Sequence, residues 1–493
     1  MSELGAFDLG SPPPPPTTPR RAASVVLWRP GPSGVEAFLV RRGATQRFAP
    51  GFTAFPGGRR DDADAAVPVH DPGASDPADL ACAARELFEE TGVLLVTGPP
   101  LPRSALAEHR TRLLSGSAGF AELLAFLGVA VDGPRLVAGG RWITPEFSAL
   151  RFDAVTFLVE WRPHEAPEVW PGELDDGDWR PAAAALDEWS RGERYFLPPN
   201  LWPVRVLARG PSPDLEALRQ PDPSAFRMEY QQGLWQVPLR TPTLPPATHT
   251  NCWVVDLGNR VAVVDPGSPW PEEQALLEGF LDQLAAEGRP AREIWLTHGH
   301  ADHVGGVAAL AARGLTIRAH RAIAPRLPGL LFKPLREGEL LGGRWGVLFT
   351  PGHARDHVVF RDEETGALLV GDMLSTLSTI VIDPPEGDMA EYQRQLERLL
   401  LLAPGALFPA HGPAAVHGIA ALRAYLDHRA EREARIVAAL AAPGTLGEIT
   451  ERAYADVPRQ VWPVAARSGL AVLQKLAAQG RAVERDGRWQ RID

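Results

Sequence analysis

The sequence predicts an α/β protein assembled from several modules, and three observations carry that reading. In the centre of the chain, strand-like apolar runs alternate with helix-favouring stretches: Val261 to Asp265, then Glu272 to Glu287, then Glu293 to Thr297. Metal-ligand side chains crowd the passage that follows, T-H-G-H-A-D-H-V-G-G from Thr297 to Gly306, before the Ala/Val/Leu-rich helix pattern Val304 to Ala312. The third is length: 493 residues exceed one ordinary core and suggest about three domains.

Composition narrows the classes. An apolar fraction of 45% is that of a globular protein, and no apolar run approaches the roughly 18 residues of a membrane helix. The expected partners therefore include no membrane. Met1 to Thr18 contains Pro12 to Pro16 and lacks an apolar segment before Ala22, so residues 1–19 read as a disordered Pro-rich tail. Arg20-Arg21 is a weak twin-arginine lookalike, because the A-A-S-V-V-L-W after it is interrupted by Arg29-Pro30. Two distant cysteines, Cys82 and Cys252, give no disulfide framework, and the expected compartment is the cytoplasm.

The first module spans 20–223. Ala23 to Trp28 and Val35 to Arg41 are strand-like runs joined by the turn-rich Pro30 to Gly34, a predicted hairpin. F-P-G-G follows at Phe55 to Gly58, and R-E-L-F-E-E-T-G-V at Arg85 to Val93 continues the helix-favouring Ala78 to Ala84. On that helix Glu86, Glu89 and Glu90 stand at i, i+3 and i+4 and share one face. Such a face is either solvated surface or a site for Mg²⁺ or Mn²⁺, since crowded carboxylates bind hard cations that neutralise a diphosphate.

Pro/Asp/Ser-rich segments between Arg209 and Ser224 mark a linker, and the second module runs over 226–425. A loop can aim His298, His300, Asp302 and His303 at one point, whereas a regular strand would send Asp302 and His303 to opposite faces. His353 in T-P-G-H, Asp372 in L-L-V-G-D-M and His411 in F-P-A-H-G-P each follow an apolar run. Five histidines and two aspartates suit two zinc-like ions in an open site.

The last segment, 426–493, begins with an Arg/Glu-rich helix around Asp427 to Arg435. It continues as helix (Leu446 to Ala455), helix (Val464 to Gln479) and a strand pair, Arg481 to Glu484 and Arg488 to Arg491, turning at Asp486-Gly487. That is winged-helix spacing. Eleven basic and nine acidic residues give it a net charge of +2, against −13 for the rest of a chain whose total is −11. A packing role and nucleic-acid binding through Arg459, Arg467 and Arg485 both remain open.

The H-x-H-x-D-H loop with its separated His, Asp and His resembles the metallo-β-lactamase superfamily. That resemblance implies an αββα sandwich in which His298, His300 and His353 hold one Zn²⁺, Asp302, His303 and His411 hold the second, and Asp372 bridges them. It makes Asp265, in V-A-V-V-D-P-G, a support of the metal loop and not a ligand. R-E-L-x-E-E-x-G-V with the upstream F-P-G-G resembles the Nudix box, an α/β/α sandwich in which Glu86, Glu89 and Glu90 bind metal and Arg85 pairs with a carboxylate.

The Nudix pattern calls for a Glu where this chain has Asp64, and about thirteen extra residues around Pro68 to Pro77 separate its halves. F-L-V-R-R, G-F-T-A-F-P-G-G and F-L-P-P-N-L-W are similar to the branch that cleaves coenzyme A and its acyl esters. T-P-G-H-A-R-D-H at Thr350 to His357, P-A-H-G-P and Y-L-D-H-R-A-E-R-E at Tyr425 to Glu433 resemble the beta-lactamase-like protein 2 family, zinc-dependent endoribonucleases acting on single-stranded RNA. The segment after Asp372, M-L-S-T-L-S-T-I, departs from that family, as does T-N-C-W at Thr250 to Trp253.

These resemblances imply a hydrolase with candidate catalytic residues Asp302, Glu89 and Glu90. Its expected substrate is RNA or a nucleotide- or CoA-type small molecule. Phosphodiester cleavage ranks first and thioester hydrolysis, paired with a coenzyme A diphosphatase, second. A further alternative makes the first module a degenerate one used only for binding.

Overall fold

The computed structural model describes residues 17–492 apart from Arg47, Ala149 and Pro171. Most of the expected tail, including Pro12 to Pro16, lies outside the described residues. The chain divides into two compact units, one ending at Gln232 and the other beginning at Gly233.

The first unit is built on the long strand Arg20–Gly31. It pairs antiparallel with Gly34–Arg42, with Gly31 opposite Gly34 so that only Pro32 and Ser33 turn the hairpin, and parallel with Phe152–Glu160. Strand alternation sends Val25 and Leu27 to one face and Val26 to the other. The first face packs on the helix Pro77–Thr91 through Leu80, Ala84, Leu87 and Phe88, and the second on the helices Ala182–Ser190 and Pro198–Leu207. The helix Pro77–Thr91 has clear ends. Asp76 accepts the Ala78 N–H at 3.0 Å, Pro77 needs no donor partner at the first position, and Gly92 closes the helix in a left-handed conformation, φ 74°. The inserted stretch before the helix is tied down: Val69–His70 pairs in parallel with Val131–Asp132.

In the second unit two sheets lie face to face. The first contains, in order, Leu234–Arg240, His249–Asp256, Val261–Val264, Ala291–Trp295, Thr316–Ala319 and Phe332–Pro334; its pairing is antiparallel up to Val261–Val264 and parallel beyond. The second runs Leu340–Leu341, Trp345–Phe349, Val358–Asp362, Leu368–Gly371 and Leu407–Pro409. Trp295 meets Phe360 and Trp253 meets Phe408 between them, with ring centres 5.3 and 5.1 Å apart. The helix Pro271–Ala286 covers the first sheet, and Met389–Leu401 and Gly418–Ala439 cover the second, an αββα arrangement.

The expected module boundary at 425–426 falls inside the continuous helix Gly418–Ala439. Beyond it come the helices Leu446–Ala453 and Trp462–Ala478 and the strands Ala482–Arg485 and Arg488–Arg491, a winged helix. Arg485 pairs with Arg488, so Asp486 (φ 50°) and Gly487 (φ 74°) make the two-residue turn that needs positive φ at both positions. This segment shares its core with the second sheet: Val472, Leu473, Leu476 and Trp489 lie in one apolar cluster with Val359, Leu368, Val370, Ile380 and Ile382. No helix of the described residues is long and apolar enough to cross a membrane.

Candidate functional site

The strand Ala291–Trp295 ends in buried Leu296 and Thr297, and the chain then turns through the metal-ligand loop. The pattern places a helix from Val304; the structure instead has a single turn, Ala301–Val304, carrying Asp302 and His303, and resumes at Val307. The interruption has a steric cause. The backbone of Asp265-Pro266-Gly267 runs directly beneath: a Cβ on Gly267 would lie 1.8 Å from the Asp302 carbonyl, and one on Gly305 would lie 2.4 Å from the Gly267 carbonyl. Glycine at both positions lets the two segments touch.

Asp265, itself at φ 52°, supports the loop from below. Its carboxylate accepts from the Thr297 N–H at 2.8 Å, the Thr297 hydroxyl at 2.6 Å and His303 Nδ1 at 2.9 Å. His298, His300, His353 and Asp372 offer ligand atoms that all lie within 4.8 Å of one another, and so do Asp302, His303 and His411. Asp372 stands between the sets: Oδ2 is 3.5 Å from His353 Nε2, while Oδ1 is 3.6 Å from His303 Nε2 and 3.4 Å from His411 Nε2.

Each of the five rings turns one nitrogen inward and the other toward an oxygen. His303, His353 and His411 direct Nε2 into the centre while Nδ1 faces Asp265, the Val381 carbonyl (2.9 Å) and the His249 carbonyl (3.1 Å). His298 has Nδ1 3.1 Å from the Thr297 hydroxyl and Nε2 2.9 Å from His300 Nδ1. His300 is reversed, with Nδ1 inward and Nε2 3.5 Å from Glu386. An outer acceptor fixes the tautomer and leaves the inner nitrogen a lone pair, as metal-ligating histidines require. The buried His303 Nε2 and Asp372 Oδ1 have no hydrogen-bond partner within the chain, so the donor set fits metal ions.

The electrostatics agree. Burial, reinforced by neighbouring imidazoles, holds His298 well below the usual histidine range and His353 down at about 4, so both are neutral donors. Around the second set burial is outweighed. Asp372, Asp265 and Asp302 raise His303, and His303 and His411 pull Asp302 down to about 2. The aspartates thus create a strong preference for positive charge at this point.

Sequence reasoning passed over three residues around this centre. His357 is buried; its Nδ1 is 2.8 Å from the Thr350 hydroxyl and its Nε2 accepts the Asp372 N–H at 3.1 Å, which places Asp372. Its presence in T-P-G-H-A-R-D-H was a usable signal. Glu386 and the Val381 carbonyl lie on an irregular segment with no pattern to flag them.

In the first unit, Arg85 is held by Asp64, Nε to Oδ1 at 2.8 Å and Nη2 to Oδ2 at 3.0 Å. The aspartate expected to be a departure therefore engages the arginine bidentately, from the short helical turn Asp62–Ala66. Arg85 also reaches Glu86 at 2.8 Å and Glu89 at 3.2 Å. The F-P-G-G backbone meets the same helix face: Gly57 N–H donates to Glu90 at 2.9 Å, and a Cβ on Gly58 would lie 2.5 Å from the Glu86 carboxyl. Burial pushes Glu86 up to about 7, against the pull of Arg85, and burial with the Glu86 charge pushes Glu90 up to about 8. Among the described residues, the three glutamates do not bring ligand oxygens within 4.8 Å of one another.

Comparison with known proteins places the second unit. Residues 245–411 match the Metallo-beta-lactamase superfamily, and 445–489 match the Beta-lactamase associated winged helix domain. The lactamase-like protein vrtG of Penicillium aethiopicum is 32% identical over 224 residues, covering 43% of this chain and 70% of its own. A beta-lactamase-like protein 2 homolog of Drosophila melanogaster is 30% identical over 250 residues, covering 47% of this chain and 83% of its own. A NUDIX hydrolase structure from Alicyclobacillus acidocaldarius is 32% identical, covering 41% of this chain and 96% of its own, with a TM-score of 0.36. The chain belongs to the metallo-beta-lactamase superfamily, a family of metal-dependent hydrolases.

Proposed function

We propose that the second unit is a dinuclear zinc hydrolase that cleaves phosphodiesters in single-stranded RNA. The observation that carries it is the pair of ligand sets sharing Asp372. His298, His300 and His353 would hold one ion and Asp302, His303 and His411 the other. Two such ions supply an activated water and electrophilic stabilisation of the reacting phosphate. The chain's own part is positional. Asp265, the Val381 carbonyl and the His249 carbonyl hold the outer ring protons, and His357 fixes the Asp372 backbone. The phosphodiester choice rests on the resemblance of the T-P-G-H-A-R-D-H and Y-L-D-H-R-A-E-R-E stretches and on the winged helix.

The first unit supports a second activity, a Nudix-type diphosphatase using Mg²⁺ or Mn²⁺ at Glu86, Glu89 and Glu90. The Arg85–Asp64 pair and the glycine contacts with Glu86 and Glu90 favour it over a solvated acidic face. With that activity present, the alternative substrate for the whole chain is an acyl-CoA, losing its acyl group at one site and being cut at its diphosphate at the other. Buried, unpaired Cys82 and Cys252 suit a reducing cytoplasm.

Metal analysis followed by a screen of single-stranded RNA, acyl-CoA esters and dinucleotides separates these readings. RNA cleavage that Glu89→Gln/Glu90→Gln leaves intact, with loss of diphosphatase activity in that variant, is the expected result. Acyl-CoA hydrolysis without RNA cleavage overturns the phosphodiester reading.

A further inference from the structure

Residues 373–388 pass from the second sheet to the helix Met389–Leu401 without forming helix or strand, so their backbone groups need partners from elsewhere. At Ile380 and Ile382 the helix Gly418–Ala439 and the winged helix after it provide them. Ile380 N–H donates to the Tyr425 hydroxyl at 2.6 Å, and the Ile380 carbonyl accepts from Arg429. Ile382 N–H donates to Ser468 Oγ at 3.1 Å, and the Asp383 carboxylate pairs with Arg467 at 3.2 Å. The side chains of Ile380 and Ile382 sink into the core that Val472, Leu473 and Leu476 share. Between these anchored residues, the Val381 carbonyl faces His353 Nδ1 at 2.9 Å. Further along, Glu386, gripped by Arg326 at 2.5 Å to each oxygen, faces His300 Nε2 at 3.5 Å.

We propose that the helix Gly418–Ala439 and the winged helix position one of the two ligand sets through this strap, with Ser468, Arg467, Arg429 and Tyr425 as positioning residues. The inference rests on reading His298, His300, His353 and Asp372 as ligands. Its selectivity comes from the contacts. The anchored residues 380–383, and Glu386 beyond them, face the rings of two of the three histidines of that set. The near end of the strap, which those anchors do not hold, meets the other set at the His411 backbone carbonyl, which accepts from Ser375 Oγ and the Thr376 N–H at 3.3 Å; the His303 and His411 rings face Asp265 and the His249 carbonyl, elsewhere in the fold. Arg467, one of the candidates from sequence for either packing or phosphate contact, engages Asp383 of the strap.

The test is a cobalt(II) titration of the whole protein followed by visible absorption. Wild type is compared with Ser468→Ala/Arg467→Leu, and with Arg488→Ala, whose guanidinium binds the Pro443 carbonyl and Glu448 at the wing, as the control. Losing the outer partner of a ligating histidine costs roughly 10–100-fold in metal affinity. Loosening the strap, one contact further out, should weaken one of the two binding steps about 10-fold and alter its absorption band. The other step should stay unchanged, with melting as in the control. Ser468→Thr, which keeps the acceptor, should bind as wild type.

Two unchanged steps in the double variant overturn the proposal, and so do two steps weakened in parallel with a fall in melting temperature. If the double variant does not fold, Ser468→Ala alone decides on the same criteria. A wild type that binds fewer than two ions overturns the ligand reading itself, a result distinct from an unchanged variant of a two-ion protein.

Discussion

At the scale of single residues, His300 shows how much a side chain's surroundings decide. Its Nδ1 meets His298 and His353 at 2.9 and 3.0 Å while Nε2 meets Glu386, the reverse of the orientation of His353, His303 and His411. His300→Ala removes one of three imidazole donors from a set that has no spare one among the described residues. Bound zinc should fall from two equivalents toward one, and hydrolysis at the central site should drop at least about 100-fold, with the shared aspartate left to one ion. Atomic absorption on the dialysed variant measures the first and any substrate found by the screen the second. Two retained equivalents with full activity would remove His300 from the ligand set.

At the scale of elements, Asp153 ties three strands of the first unit. From Phe152–Glu160 it accepts from Arg141 on Val137–Ile143 at 2.6 Å and from Arg21 on Arg20–Gly31 at 2.8 Å. The Arg141 bonds, opposed by burial and aided by Arg21, hold its carboxyl down at about 2, below the ordinary 3.8. A depressed carboxyl stabilises the fold above its unfolded value and loses that contribution as pH falls through the folded one. Asp153→Asn should therefore be less stable than wild type above about pH 5, with the gap closing between about pH 4 and 2. With Arg141 58% exposed, solvent screening reduces the expected gap to on the order of 1 kcal/mol. Denaturant unfolding across that range checks it; a gap that is constant with pH would show that the ion pairs contribute nothing.

At the scale of the whole molecule, the proposal is of two hydrolytic sites with different metal chemistry. Imidazole-rich ligands favour zinc, and an all-carboxylate face favours magnesium or manganese. A chelator selective for zinc over magnesium should silence the central activity while the diphosphatase continues, and zinc should restore only the first. Loss of both activities at one chelator concentration, with zinc alone restoring both, would contradict separate sites.

Much of this was legible in one dimension because the information is local. Three histidines and an aspartate within the short stretch His298–His303, after a run of buried-strand residues, announce a metal loop, and i, i+3, i+4 glutamates share a helix face whatever surrounds them. The helices at 446–453 and 462–478 and the turn at Asp486-Gly487 likewise follow from periodicity and from which residues accept positive φ. What needed the tertiary structure were the relations between distant segments. The sequence does not say that Asp64 reaches Arg85, that Glu386 faces His300, or that the Val381 carbonyl takes the His353 ring proton. Nor could composition show that residues 425–426 lie within one helix, or that the winged helix shares its apolar core with the second sheet. Patterning reports which face of an element is apolar; which other element covers that face, and so which side chains become neighbours, is settled only when the chain packs.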